Sequence, residues 1–116
     1  MVCIDKSQAG RTVWQMTGDE RFSNPAGVVQ GGFIAAFCDS AMGASVVTFT
    51  AGRPVMVANA EMKISFLGPV RTGSVITCDA TVIAGGGRVV FTEASVAVVG
   101  GSLVARASST YLLADR

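Results

Sequence analysis

The stretch from Asn24 to Gly43, NPAGVVQGGFIAAFCDSAMG, decides how the chain is read. Asn24-Pro25 is a turn signal, and Gly31-Gly32 opens the next segment. From there Phe33, Ala36, Phe37, Ser40, Ala44 and Val47 recur at spacings of three and four, which lines one face of a helix. Ile34, Ala35, Cys38, Ala41, Met42 and Val46 make the other faces hardly more polar, the pattern of a helix buried nearly all round. It runs to about Phe49, where Ala51-Gly52-Arg53-Pro54 stops it with a glycine first and a proline soon after. Such a helix needs a wrapper, which the rest of the chain must supply.

Asp39 stands midway along this helix with Ala35, Ala36, Met42 and Gly43 one turn away, and no Lys or Arg occurs between Arg21 and Arg53. A buried carboxylate without a partner is costly, so Asp39 faces either a partner from another element or a solvated cleft. One reading pairs it with Arg88, Arg106 or a backbone donor. The other makes it a chemical group, and the residues before it favour that reading. Gly31-Gly32 at a helix start leaves backbone N–H groups uncovered by side chains, and those donors together with the helix dipole attract an anion or a developing oxyanion. A Gly-Gly pair alone can serve close packing or a tight turn. Donor-rich end, carboxylate and apolar walls together say more.

The totals narrow the field. A chain of 116 residues makes one domain, residues 1–116, with a respectable core. Only 15% of residues are charged and the net charge is +1, so the broad basic surface that binds nucleic acid is absent. Mean hydropathy is +0.52, and apolar surface left over after folding is expected to close against further copies of the chain. Residues 26–49 read as a core helix and not as a membrane span, because glycines, Ser40, Ser45, Thr48 and Asp39 interrupt them. MVCIDKSQAGR has no apolar signal region, and the scattered Cys3, Cys38 and Cys78 read as reduced thiols, so a cytoplasmic setting is expected. Cys38 adjoins Asp39 but points about 100° away from it, and no histidine exists to activate it, so it reads as core. The lack of histidine also removes Ser-His-Asp and Cys-His arrangements and the common zinc sites; no metal is expected. Chemistry here has to rest on a carboxylate, amides and hydroxyls.

Along the chain, residues 1–11 are mixed and expected to be partly loose, and Thr12 to Met16 is a short first strand. Val57 to Leu67 alternates, with Ala58, Ala60, Met62, Ile64 and Phe66 on one side and Asn59, Glu61, Lys63 and Ser65 on the other. Further strands are expected over Ser74 to Ala84, Arg88 to Val99 and Ser102 to Leu113, separated by Gly85-Gly86-Gly87 and Gly100-Gly101 and forming a meander. Both sheet faces carry apolar residues, and one helix covers only one of them. The three glycines join strands and do not open a helix, which argues against a nucleotide loop.

The order of Asn24, Gln30-Gly31-Gly32, a long helix with Asp39, then VANAEMKISFLGPV, GGGRVVFTEASV and LVARASSTYLL resembles the hotdog-fold acyl-CoA thioesterases of the phenylacetate-pathway (PaaI-like) type, over roughly residues 12 to 113. The resemblance implies an α+β fold in which a long central helix is wrapped by a curved antiparallel sheet of about five to six strands. It also implies a homodimer with a continuous sheet and shared active sites, and dimers that pair again into a homotetramer. The family motif is an asparagine or glutamine, a histidine six residues on followed by two glycines, and an acid eight after the first glycine. Here those positions are Asn24, Gln30, Gly31-Gly32 and Asp39. By resemblance the Gly31 amide polarises the thioester carbonyl, Asn24 helps place it, and Asp39 activates water or attacks directly. Asn59 stands where a serine or threonine often assists the acid, and Gly87-Arg88 match a pair that lies near the coenzyme A phosphates. Gln30 replaces the usual histidine and cannot hold a proton or charge.

The leading expectation is therefore hydrolysis of an acyl- or aryl-CoA thioester, with coenzyme A as part of the substrate and no separate cofactor. The acyl tail is expected in an apolar pocket near Phe33 or Met42, beside Gly32. The rival is a non-catalytic acyl-CoA-binding module of the same fold. A hotdog dehydratase is disfavoured because those enzymes rely on a histidine base.

Overall fold

The computed structural model describes the whole chain, Met1–Arg116. In chain order come β1 (Val2–Gln8), β2 (Arg11–Thr17), a single 3-10 turn (Glu20–Phe22), α1 (Gly31–Phe49), β3 (Val55–Phe66), β4 (Val75–Gly85), β5 (Val89–Val98) and β6 (Leu103–Asp115). The strands form one sheet in the order β1-β2-β4-β5-β6-β3, with every pair antiparallel. α1 packs on five of the six strands, β2 to β6. A helix is about 10 Å wide and strands lie about 4.8 Å apart, so a flat sheet would bring only two or three strands against it. The sheet must curl round the helix, and the result is the hotdog fold.

Period-two patterning explains which side chains meet α1. Ile76, Cys78 and Ala80 of β4, and Val90, Ala94 and Val96 of β5, point inward and are buried against Phe37, Met42 and Val46 of the helix. The charged and small residues between them face out. α1 is long and apolar enough by composition to cross a bilayer, and here it lies along the concave face of the sheet.

Three expectations are corrected. Residues 2–8 are not loose: β1 pairs with β2 around Gly10, whose φ of +83° suits a residue without a side chain. The helix, expected to be buried nearly all round, is covered by the sheet on one side only. The sheet buries Ile34, Phe37, Cys38, Ala41, Met42, Ser45 and Val46, while Phe33 and Val47 are 39% and 57% exposed. An all-round apolar helix has no period from which its covered face can be told. Third, β3 does not alternate strictly. Asn59 lies opposite Tyr111 and Glu61 opposite Thr110, which leaves Ala60 as an extra residue, a β-bulge. Val55 and Val57 are half-buried before it and Met62 and Ile64 after it, so the inward positions change from odd to even numbers.

Candidate active site

That bulge aims Asn59 at the helix. Without it Asn59 would share the outer face with Lys63 and Ser65; with it, the side chain follows Val55 and Val57 inward. Asn59 Nδ2 donates to Asp39 Oδ1 at 2.9 Å. Tyr111, from the neighbouring β6, donates through its hydroxyl to the same Oδ1 at 2.7 Å and reaches the Asp39 main-chain oxygen at 2.9 Å. Tyr111 is almost fully buried, and its phenol is pushed far above the usual tyrosine range, first by that burial and then by its hydrogen bond to Asp39 and the carboxylate's charge. No arginine or lysine lies within ion-pair distance of Asp39; the four ion pairs use other carboxylates. The pairing of Asp39 with Arg88 or Arg106 is therefore overturned within this chain. Asp39 is an exposed carboxylate on the uncovered side of α1, held at one oxygen by two neutral donors, with the other oxygen free of protein donors.

The second half of the candidate site is the start of α1. The Gln30 N–H donates to Phe22 O at 2.8 Å and the Val29 N–H to Val70 O at 2.8 Å, which anchors the entry loop on both sides. The amides of Gly31 and Gly32 donate to no protein acceptor. Gln30 occupies the cap position, yet its side chain makes no capping bond, so the helix dipole is uncompensated there. Beside Gly31 opens an apolar cavity of about 230 Å³, walled by Val28, Ile34, Phe66, Pro69, Val70 and Val104. A free amide at Gly31, on the wall of an apolar hollow, can stabilise negative charge on an oxygen far better than it could in water. Gly31 and Asp39 are eight residues apart on one helix, roughly 12 Å.

Residues 26–105 match the family model described as the thioesterase superfamily. The chain belongs to the thioesterase superfamily. No curated protein matches the sequence. Solved structures agree on the fold. A hypothetical thioesterase of Streptococcus pneumoniae, solved with coenzyme A, superposes with a TM-score of 0.87 at 18% identity over 97% of this chain and 84% of that one. A Streptococcus mutans protein bound to acetyl CoA gives 0.89 at 17% identity over 98% and 88%. The PaaI protein from the phenylacetic acid degradation operon of Escherichia coli gives 0.81 at 19% identity over 89% and 72%.

The remaining candidate residues of this thioesterase-superfamily chain fall into three places. Asn24 organises its own loop: Oδ1 accepts from Ala26 N at 2.9 Å and Val28 N at 3.2 Å. Phe33 stacks on Phe22 with ring centroids 4.3 Å apart, and Met42 is fully enclosed in the core; the cavity lies beside Gly31 instead. Gly87 and Arg88 sit at the opposite end of the molecule. The Gly87 carbonyl accepts from Arg53 Nη2 at 3.1 Å, just past the C-terminus of α1, so one helix length, about 28 Å, separates this turn from Gly31. Cys38 packs in the core, fully enclosed, and the hydrogen bond with Cys38 together with burial pushes the Cys78 thiol up. No group of three His, Cys, Asp or Glu side chains lies together. Tyr111 escaped the sequence reading, since nothing local links it to a residue 72 positions earlier.

Proposed function

We propose that this thioesterase-superfamily chain hydrolyses acyl- or aryl-CoA thioesters to free acid and coenzyme A, and the observation that carries this is the state of Asp39: an exposed carboxylate without a cation, one oxygen tied by neutral donors and the other free. Asp39 Oδ2 takes a proton from a water, and the hydroxide adds to the thioester carbonyl. The Gly31 amide receives the resulting oxyanion, with Gln30 and Asn24 at the rim and Gly32 behind. Collapse breaks the C–S bond; the thiolate takes the proton from Asp39 and leaves as thiol, while the acid gives its own proton to solvent and leaves as carboxylate. A cavity of about 230 Å³ with apolar walls suits a short acyl chain or a single aromatic ring.

The site is shared between two chains. A carbonyl about 3 Å from the Gly31 donor cannot be attacked by a water held about 12 Å away on the same helix. Two helices antiparallel across a two-fold axis bring Gly31 of one beside Asp39 of the other, and they meet through the exposed Phe33 and Ala36. The same arrangement carries the partner's helix end about 15 Å beyond Gly31, and the partner's Gly87–Arg88 turn beside that end is the proposed contact for a coenzyme A phosphate. Residues 1–116 act as one domain in the cytoplasm, and such dimers pair again. The test is thiol release from a series of acyl-CoA and aryl-CoA esters by the purified protein. Tight binding of those esters without any thiol release would overturn hydrolysis in favour of a binding module.

A further inference from the structure

Tyr111 is the only tyrosine of the chain, and it comes from the last strand to meet a helix residue 72 positions earlier. Its ring is 2% exposed, so it reaches no substrate, yet its hydroxyl contacts two atoms of one residue: Asp39 Oδ1 at 2.7 Å and Asp39 main-chain O at 2.9 Å. An aspartate on the open side of a helix has two side-chain torsions and several staggered states to choose from. Tying its side-chain oxygen and its main-chain oxygen to one rigid phenol removes that choice. Asn59 Nδ2 adds a second donor to Oδ1, and is itself steadied by Ser109 Oγ at 3.2 Å and Tyr111 Oη at 3.4 Å.

We infer that Tyr111 is the positioning residue of the Asp39 carboxylate: it engages Oδ1 so that Oδ2 alone is presented, in one fixed direction, to the substrate water. This rests on the hydrolysis proposed above. Two other roles for the phenol fail on geometry. It cannot protonate the leaving thiolate, because it is enclosed, and it is not merely filling the core, because its polar atom is spent entirely on Asp39 and Asn59. The ionisable groups facing it are Asp39 and, more weakly, Cys38, both from α1.

Two measurements test this. In Tyr111→Phe the ring stays and the donor goes; kcat is expected to fall about 10- to 100-fold while KM stays within about twofold, as for a lost orienting partner. Fluorotyrosine at the same position, which keeps the donor, restores turnover. An unchanged kcat in Tyr111→Phe, or a failure of fluorotyrosine to restore it, overturns the inference. The second measurement needs no activity. With one tyrosine, the NMR resonance of the hydroxyl-bearing ring carbon reports Tyr111 alone, and at neutral pH it should shift in Asp39→Asn, where the charged acceptor becomes an amide. An unchanged resonance would show that the phenol does not engage the carboxylate, whether or not any thioester is cleaved. A parent inactive on every thioester removes the proposed function, and the resonance still decides whether Tyr111 holds Asp39.

Discussion

The ring of Phe66 lies so close over Gly31 that a Cβ on Gly31 would stand 2.8 Å from Cζ and 3.2 Å from both Cε atoms. Phe66 is itself 53% exposed, so the ring can swing aside. Gly31→Ala should therefore fold with a stability loss of no more than about 1 kcal/mol, but its methyl and the displaced ring close the mouth of the cavity beside the amide. Hydrolysis is expected to drop at least tenfold, mostly in kcat, since the oxyanion loses its approach to the donor. Steady-state kinetics with denaturant unfolding on the same variant separates the two effects; parental kinetics would move the oxyanion donor elsewhere.

Asp39→Asn keeps the size of the side chain and can still accept from Tyr111 and Asn59, so the fold should hold. An amide cannot take the proton from water, and turnover should fall by at least about 100-fold. Thiol release by a variant with parental circular dichroism is the measurement, and near-parental turnover removes Asp39 from the mechanism.

Val28 is half-buried and walls the cavity, while its main-chain N–H is already satisfied by Asn24. Val28→Phe should fill part of the hollow without disturbing the loop. Selectivity is expected to move towards shorter acyl groups, with kcat/KM for two-carbon and four-carbon esters kept and that for about eight carbons lost tenfold or more. An unchanged chain-length profile would mean that the acyl group binds elsewhere.

Shared sites give a prediction that needs no atomic structure. Chains carrying Asp39→Asn and chains carrying Asn24→Ala with Gln30→Ala should each be inactive alone. A mixed dimer holds one site with both defects and one with neither, so random pairing recovers roughly a quarter of parental activity. Proven mixing of subunits with no recovery would place donor and carboxylate on one chain.

Stability should fall in strong alkali through Tyr111. The ordinary phenol value is 10.0, and burial and then the contact with Asp39 raise it in the folded chain. Above about pH 10 the unfolded chain gives up this proton while the native one keeps it, so unfolding releases a proton and stability decreases as pH rises. The contribution is complete below that pH and is lost progressively above it, up to the raised native value. Unfolding midpoints at about pH 9 and about pH 11 should differ more in the parent than in Tyr111→Phe. Equal differences would mean that other groups govern alkaline stability.

The helix bounds could be read from the sequence because local signals set them: Gly31 at the start, Gly52 and Pro54 after Phe49. The meander of β4, β5 and β6 was equally legible from its glycine turns. β1 was not, since VCIDKSQ at the sheet's edge buries little and carries no apolar alternation. The bulge in β3 was hidden by Ala58 and Ala60, whose small side chains fit either face. Asp39, Gly31 and Asn59 could be named because they lie in or next to the motif-bearing segments. That Asn59 meets Asp39 only through an inserted residue, and that Tyr111 joins them, depends on register between β3 and β6, which no local pattern reveals.

The position of β6 sets a timetable for the chain. It is last to be synthesised, yet it lies between β5 and β3 in the sheet. Until it arrives, β3 has no neighbour, two rows of backbone hydrogen-bonding groups stand open, and Asp39 lacks its phenol. Closure then depends on contacts far apart along the chain, a slow class of folding step. A ribosome-bound chain stopped short of residue 111 would hold its helix carboxylate and its glycine amides and still be unready for chemistry, with an open seam that invites pairing with the wrong strand.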